Sequence, residues 1–536
     1  MRTFPRMKRA ALAAGLGAAL VMSLGAQATA VSPAAPIAAK PRGQQGPDVS
    51  AVRAALEKRG FEVAQGDFHL WGREDCPASF DLMKTCYFNN PTSPYNWAIL
   101  PPWPEEYTDP ATEAAVGLSA TVTGPAGEDA GAIFRFDPTE AILIFGELPP
   151  EAAFFSLQSY QFTRVGDYST DNETYDYLAA LGATGIFFHK IPGNPERIAS
   201  WNSISNSTNN VVIERQSGPA WEQDRYFVIS PDRYMDKQVR QVLHRLAVDE
   251  DDVFSEAIPS NLDFGLGEEA DEFISFIRYA RPADGGASGT PSWAWTQDPA
   301  LQVLRIRDTR NRPQQPYPAW GVDSPEVRTA VSEAYLEDDL TELAAAVSME
   351  WGQPCVGGDC LASGQGAQFV DTQTPLFNLL GPKCSLIGMD CLGDTQDASY
   401  QFRPGQRYDD DQVYAVVGAL GTATGNATYV SLGVNNTRLR LGALNVDGSE
   451  LVGSATGYDV EHADELFVHY FTRDCSGLED LTDGFCTEVG DGPLEIPPGD
   501  PASFVERDYV AVGTQRGPDS SLLLPSIAIT LERPAG

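Results

Sequence analysis

Eight cysteines fall into four close pairs along the chain: Cys76 with Cys86, Cys355 with Cys360, Cys384 with Cys391, and Cys475 with Cys486. No other feature limits the fold as strongly. An even count in an exported chain predicts disulfides, and eight cysteines leave ~105 connectivities open. Proximity favours the four local pairings, each closing a short loop worth about 2–3 kcal/mol on a chain-entropy view. A competing arrangement gathers Cys355, Cys360, Cys384 and Cys391 around one zinc ion. Their spacing is wider than that of an ordinary zinc knuckle, and an oxidising compartment favours disulfides.

The first thirty residues argue for that compartment. Arg2, Arg6, Lys8 and Arg9 form a basic stretch, Ala10 to Ala26 a short run of apolar and small residues, and Ala26-Gln27-Ala28 and Ala28-Thr29-Ala30 two sites for a signal peptidase. This is the pattern of a cleaved secretory signal over 1–30, too short and glycine-broken for a membrane anchor. Residues 31–50, rich in Pro, Ala, Gln and Gly, read as a flexible linker. No later segment is apolar for long enough to span a bilayer, so no transmembrane segment is expected in the mature chain.

The chain carries 74 acidic against 37 basic residues, a formal net charge of −37. Phosphate backbones need a basic footprint, so a nucleic-acid partner is excluded, as is an anionic membrane surface. What remains of 536 residues after a signal and linker is enough for two or three packed domains.

Along the chain, Asp48 to Gly60 reads as a short helix capped by Asp48. Cys76 to Pro104 is dense in proline and aromatics and reads as an ordered loop pinned by its disulfide. Ile133 to Phe136, Ala141 to Gly146 and Phe154 to Thr163 have strand character. The third places Phe155, Leu157, Ser159 and Gln161 on one side and Phe154, Ser156, Gln158, Tyr160 and Phe162 on the other. Three helices are expected next: one after Ser230-Pro231-Asp232, one over Glu268 to Arg281, and one from Ser324-Pro325-Glu326 to about Trp351. A strand at Leu301 to Ile306 interrupts them. Strands return at Gln412 to Val417, Ala427 to Val434, Arg438 to Leu444 and Glu465 to Thr472. Phe155-Ser156-Leu157 and Val430-Ser431-Leu432 stand in similar surroundings and suggest a weak internal repeat. The expected class is α+β: mostly antiparallel sheet in two β-sandwich-like units, with a helical middle segment. The corresponding divisions are a β-rich region at 51–228, a helical region at 229–352 and a second β-rich region at 353–536.

Motifs for chemistry are sparse. There is no nucleophile elbow, zinc-protease helix, P-loop or dinucleotide fingerprint in the required context. Of five histidines, His189 and His469 are the leading candidates for a base, with Ser156 as a candidate hydroxyl. The candidate ligand-binding residues are Asn89, Tyr95, Trp97 and Gln158, together with Trp293 and Trp295, which would face the same side of a strand and offer a stacking platform. Asp409, Asp410 and Asp411, and separately Asp167, Asp171, Glu173 and Asp176, are candidate calcium ligands because hard cations take several oxygens. The partner these residues suggest is a small molecule or a polysaccharide.

Two motifs carry a resemblance. One is a loop containing Cys86, Asn89, Asn90, Pro91, Pro94 and Tyr95; the other is Gly146, Pro149, Pro150, Phe154, Phe155 and Ser156. Together they resemble a group of uncharacterised secreted proteins of GC-rich bacteria. The resemblance implies export and brings no activity with it. The function expected is therefore an extracellular hydrolase or lyase or, alternatively, a non-catalytic extracellular ligand-binding or envelope protein.

Overall fold

The computed structural model describes residues 46–108, 126–127, 129–374, 377, 379–409 and 411–534, save the Leu82 side chain. The expected signal peptide and all but the last residues of the expected linker lie outside them. The first helix, Val49–Glu57, starts within the linker's expected range because the Asp48 carboxylate accepts the Ala51 amide at 2.8 Å.

The first eleven strands are β1 (Glu62–Trp71), β2 (Tyr95–Ile99), β3 (Glu140–Glu147), β4 (Ala152–Val165), β5 (Lys190–Ile191), β6 (Asn194–Ser203), β7 (Thr208–Asn209), β8 (Asp224–Ser230), β9 (Val253–Ala257), β10 (Glu272–Pro282) and β11 (Leu301–Arg307). They form one ladder in the order β5-β6-β4-β10-β2-β1-β11-β3-β8-β9, with β7 against β4. The ladder folds back on itself at β1, whose first half pairs with β11 and second half with β2. Gly66 stands at the change of partner, where a Cβ would lie 2.5 Å from the Ile99 carbonyl oxygen. Folding back buries Ile142, Ile144 and Val303 of one half against Phe155, Leu157 and Ile277 of the other. The helices Val49–Glu57 and Arg233–Arg245 cover the outer face of the first half through Val52, Leu56, Val239 and Val242.

Ten further strands build a second sandwich: β12 (Gly366–Gln368), β13 (Val370–Asp371), β14 (Ala398–Gln406), β15 (Gln412–Ala419), β16 (Tyr429–Asn436), β17 (Leu441–Asp447), β18 (Leu466–Thr472), β19 (Cys486–Glu488), β20 (Ala502–Tyr509) and β21 (Ile527–Glu532). Its outer sheet runs β12-β21-β15-β18-β19 and its inner sheet β13-β14-β20-β16-β17. Val416, Leu432, Phe471 and Phe504 fill the space between them. The helix Glu337–Glu350 closes the outer face with Leu340, Leu343 and Val347. Among the described residues, all strand pairs are antiparallel except β8–β9 and β18–β19. The class is α+β and β-rich, with layers in the order helix, sheet, sheet, sheet, sheet, helix.

Several local expectations need correction. Glu268 to Arg281 is not a helix: Glu272–Pro282 is the strand β10, paired with both β2 and β4. Phe273-Ile274-Ser275-Phe276-Ile277 is buried on both faces, so polar alternation is missing and apolar spacing imitates a helix. Only the second half of the third expected helix forms. Residues before it are held as an extended strap, with Arg328 donating to the Thr395 and Ala398 carbonyls and Val331 to Asn426. The expected loop from Cys76 to Pro104 contains the helix Cys76–Met83, entered through Pro77, and the inner strand β2. Ile133 to Phe136 contributes an isolated bridge from Phe134 to Phe273 rather than a strand.

All eight cysteines are paired, Cys76–Cys86, Cys355–Cys360, Cys384–Cys391 and Cys475–Cys486, which rules out the zinc arrangement. Among the described residues no helix is long and apolar enough to cross a membrane.

Candidate functional site

The inner sheets of the two sandwiches face each other. Over part of the contact they pack directly, with Phe154 and Ala280 against Tyr429 and Tyr509. Beside that contact lies a cavity of about 80 Å³, lined by β2, β10, β14, β20 and the segment 391–394.

Its polar groups come from both sandwiches. Arg278 of β10 stands between Tyr95 of β2 and Ser156 of β4 in the ladder. Its Nη1 donates to the Tyr160 hydroxyl at 2.6 Å and its Nη2 to the Gly393 carbonyl at 2.9 Å. Tyr160 in turn donates to Gln158 at 2.9 Å, and Gln158 Nε2 to the Ser205 carbonyl at 2.9 Å. The guanidinium also lies 4.7 Å from the Phe276 ring centroid. Arg507 projects from β20 and donates Nη2 to the Phe88 carbonyl at 3.1 Å. Among the described residues its Nη1 has no hydrogen-bond partner.

Arg278 is 2% exposed and Arg507 4%. Guanidinium groups keep their proton in proteins, so both charges persist. Among the described residues neither has a carboxylate within 4.0 Å. The nearest acid in the wall is Asp394. Its oxygens accept from the Ser203 amide at 2.8 Å, the Ser203 hydroxyl at 2.6 Å and the Gly381 amide at 2.7 Å. Burial pushes its pKa up to about 6, against these hydrogen bonds and the pull of Arg278. Tyr95 and Tyr400 also line the cavity. Burial raises both pKa values, so their hydroxyls are neutral donors at physiological pH.

The remaining wall is mostly apolar, with Phe88, Ile186, Phe377, Leu379, Leu392 and Phe402, and includes Thr372, whose hydroxyl donates to the Tyr400 carbonyl at 3.0 Å. The Cys384–Cys391 disulfide fixes the segment that carries Leu392, Gly393 and Asp394. Gly393 has φ +72°, and a Cβ there would lie 2.8 Å from the Trp201 ring. Only glycine lets the loop approach closely enough to offer its carbonyl to Arg278.

Among the described residues, Tyr95 is the one candidate catalytic, ligand-binding or metal residue from the sequence that lines this cavity, and Cys391 of the predicted disulfides lines it as well. Gln158 supports it through Tyr160, and Ser156 is buried next to Arg278 in the ladder, with no hydrogen-bond partner for its hydroxyl among the described residues. Asn89 accepts the Gly442 amide at 3.0 Å, a packing role. Trp97 is buried among Tyr87 and Phe276. His189 lies behind the wall, 3.1 Å from Asp390 and 3.4 Å from Arg440. His469 is in the core between the sheets of the second sandwich, bonded to Thr487 at 2.8 Å, and burial pulls its pKa down to about 4. The structure therefore brings neither His189 nor His469 together with Ser156. Trp293 and Trp295 are on the helix Pro291–Gln297, not a strand. Trp295 is buried against Tyr279 and donates to the Glu147 carbonyl, while Trp293 is exposed, so they form no shared platform.

Asp409 and Asp411 border a surface groove with Glu532 and Arg533; Asp410 lies outside the described residues. Asp167 pairs with Lys190 at 2.7 Å. Glu173 and Asp176 lie in the first turn of a helix. Among the described residues no group of three or more His, Cys, Asp or Glu side chains could hold a metal ion.

Sequence reasoning missed Arg278, Arg507, Asp394 and Tyr400. A usable signal was present: Arg278 and Arg507 each interrupt a strand buried on both faces, where an arginine is costly unless something engages it.

No family model and no curated protein matches the chain. Among solved structures, an uncharacterized protein from Burkholderia cenocepacia superposes with a TM-score of 0.37 and 9% identity, covering 90% of this chain and 86% of that one. A structural-genomics protein from Vibrio parahaemolyticus superposes with a TM-score of 0.30 and 12% identity, covering 74% and 87%. Overlaps this loose transfer neither fold nor activity.

Proposed function

We propose that this chain is exported and acts outside the cytoplasm as a non-catalytic protein that binds a small molecule between its two sandwiches. The observation that carries the reading is Arg507: a buried guanidinium on a cavity wall, with one nitrogen unpartnered and no carboxylate beside it. An unpaired buried charge costs several kcal/mol, and a ligand that engages it offsets that cost. Among the described residues the cavity lining supplies no nucleophile with an adjacent base. Their one carboxyl is already committed to three donors, and Tyr95 and Tyr400 hold their protons too tightly to serve as bases. This favours binding over the hydrolase or lyase reading. Export is supported by the signal pattern at residues 1–30 and by four disulfides.

Thermal shift with butyrate, isovalerate, butyramide, glycerol, glucose and spermidine tests the binding. At least one compound is expected to raise Tm for the natural chain and not for Val505→Phe, which adds a ring to the cavity wall. No shift from any of them, or an equal shift in the filled variant, would overturn the proposal. Export is checked separately by N-terminal sequencing of protein from culture medium, where the chain is expected to begin after Ala28 or Ala30.

A further inference from the structure

We infer that the ligand is a short-chain organic monocarboxylate, its carboxylate held by Arg278 and Arg507 and its hydrocarbon part against Phe377, Leu379 and Phe402. This rests on the binding reading above and narrows it.

Charge is the first argument. The cavity wall carries two guanidinium groups and one carboxyl. With a pKa of about 6, Asp394 is mostly ionised at neutral pH, and Tyr95 and Tyr400 are neutral. The wall therefore holds a net charge of one positive unit, which a monoanion neutralises. A dianion such as sulfate would leave a buried negative charge, which is strongly unfavourable.

Geometry is the second. Guanidinium forks match the planar carboxylate. Each arginine here already has part of its fork fixed: Arg278 by Tyr160 and Gly393, Arg507 by Phe88. Little side-chain entropy remains to be lost on binding, and Arg507 Nη1 still lacks a partner. The neutral hydroxyls of Tyr95 and Tyr400 add donors on the same cavity.

Size and polarity are the third. Apart from the arginines, Asp394, Thr372 and the tyrosine hydroxyls, the wall is aromatic and aliphatic, which suits a hydrocarbon. The volume of about 80 Å³ is below the ~150 Å³ of an apolar protein cavity that admits a benzene ring, which favours a short aliphatic chain.

Isothermal titration of the full mature protein with butyrate and with butyramide separates the charge from the shape, because the amide is nearly isosteric. Butyrate is expected to bind at least ~10-fold tighter than butyramide. Arg507→Gln is expected to erase that preference, and Arg278→Gln serves as a second variant with the same readout. Acid and amide binding equally well, with both blocked in Val505→Phe, would overturn the monocarboxylate and leave the binding reading standing. Inorganic sulfate competing as well as butyrate would also overturn it. If no compound binds at all, both readings fall. The acid-to-amide comparison needs no variant, so a misfolded substitution does not protect the inference.

Discussion

Two sets of buried arginines in this chain are treated in opposite ways. In the first sandwich Arg305 is fully buried, and it meets Glu140 at 2.5 Å and Glu106 at 2.7 Å. Arg135 meets Glu272 at 2.7 Å close by, and Arg197 also reaches Glu272. Every charge there has an opposite beside it. At the cavity between the sandwiches, Arg278 and Arg507 are buried almost as deeply and have hydroxyl and carbonyl partners instead. The first arrangement is complete without a ligand and fastens the fold. The second leaves charge uncompensated, and that difference, rather than burial itself, marks a site.

The sharpest way to break this comparison is to remove one partner from each set and measure urea unfolding without ligand. Glu140→Gln is expected to cost ~3–5 kcal/mol, because it leaves Arg305 short of an anion in the interior. Arg507→Met is expected to be neutral or stabilising, because it removes a charge that nothing balances. Similar losses for both would show that Arg507 is as structural as Arg305.

Two disulfides sharpen it next. Replacing Cys384 and Cys391 with serine, or Cys475 and Cys486, is expected to cost about 2–3 kcal/mol in either case. Only the first pair fixes the cavity wall. Butyrate binding should weaken in that variant and stay unchanged in the other; parallel loss in both would mean the wall does not depend on its staple.

A third buried set contrasts with both, since it contains acids without bases. Glu506 and Asp508 lie on the same face of β20, opposite to Arg507; burial, with repulsion from Glu333 on both and from Glu506 on Asp508, pushes both pKa values well above the usual carboxylate range. Folded chains keep these protons where unfolded chains have lost them. Their contribution to stability is therefore fully present in acid and is lost as pH rises from the usual carboxylate range through neutral. Glu506→Gln is expected to flatten that decline and to gain roughly 1–3 kcal/mol at mildly alkaline pH. Identical pH slopes for the two proteins would refute the assignment.

The smallest effect concerns a site remote from all three. Asp48→Ala is expected to cost ~1 kcal/mol through loss of the helix cap, with no change in butyrate affinity.

Much of the fold was readable residue by residue. The alternation from Phe154 to Phe162 assigned each side chain to its face, and the two faces do enter different cores. β10 was misread because burial on both faces removes the polar rhythm that distinguishes strand from helix. The same double burial hid Arg278, since a helix reading gave it no partner across a ladder. Tyr95 stands out in the sequence for its loop and its aromatic neighbours, and it lies on the inner strand β2.

The sequence by itself determined what depends on near neighbours. Close cysteine spacing set the four disulfides, and apolar alternation set most strands. Only the tertiary structure decided which arginines have carboxylates beside them. Glu140 and Arg305 are 165 residues apart, and Arg278 and Arg507 come from different sandwiches. Pairing at that range is set by how sheets stack, and local spacing carries no information about it. The four staples each close a loop within one neighbourhood, so they fasten the layers without revealing that a charged cavity lies between them.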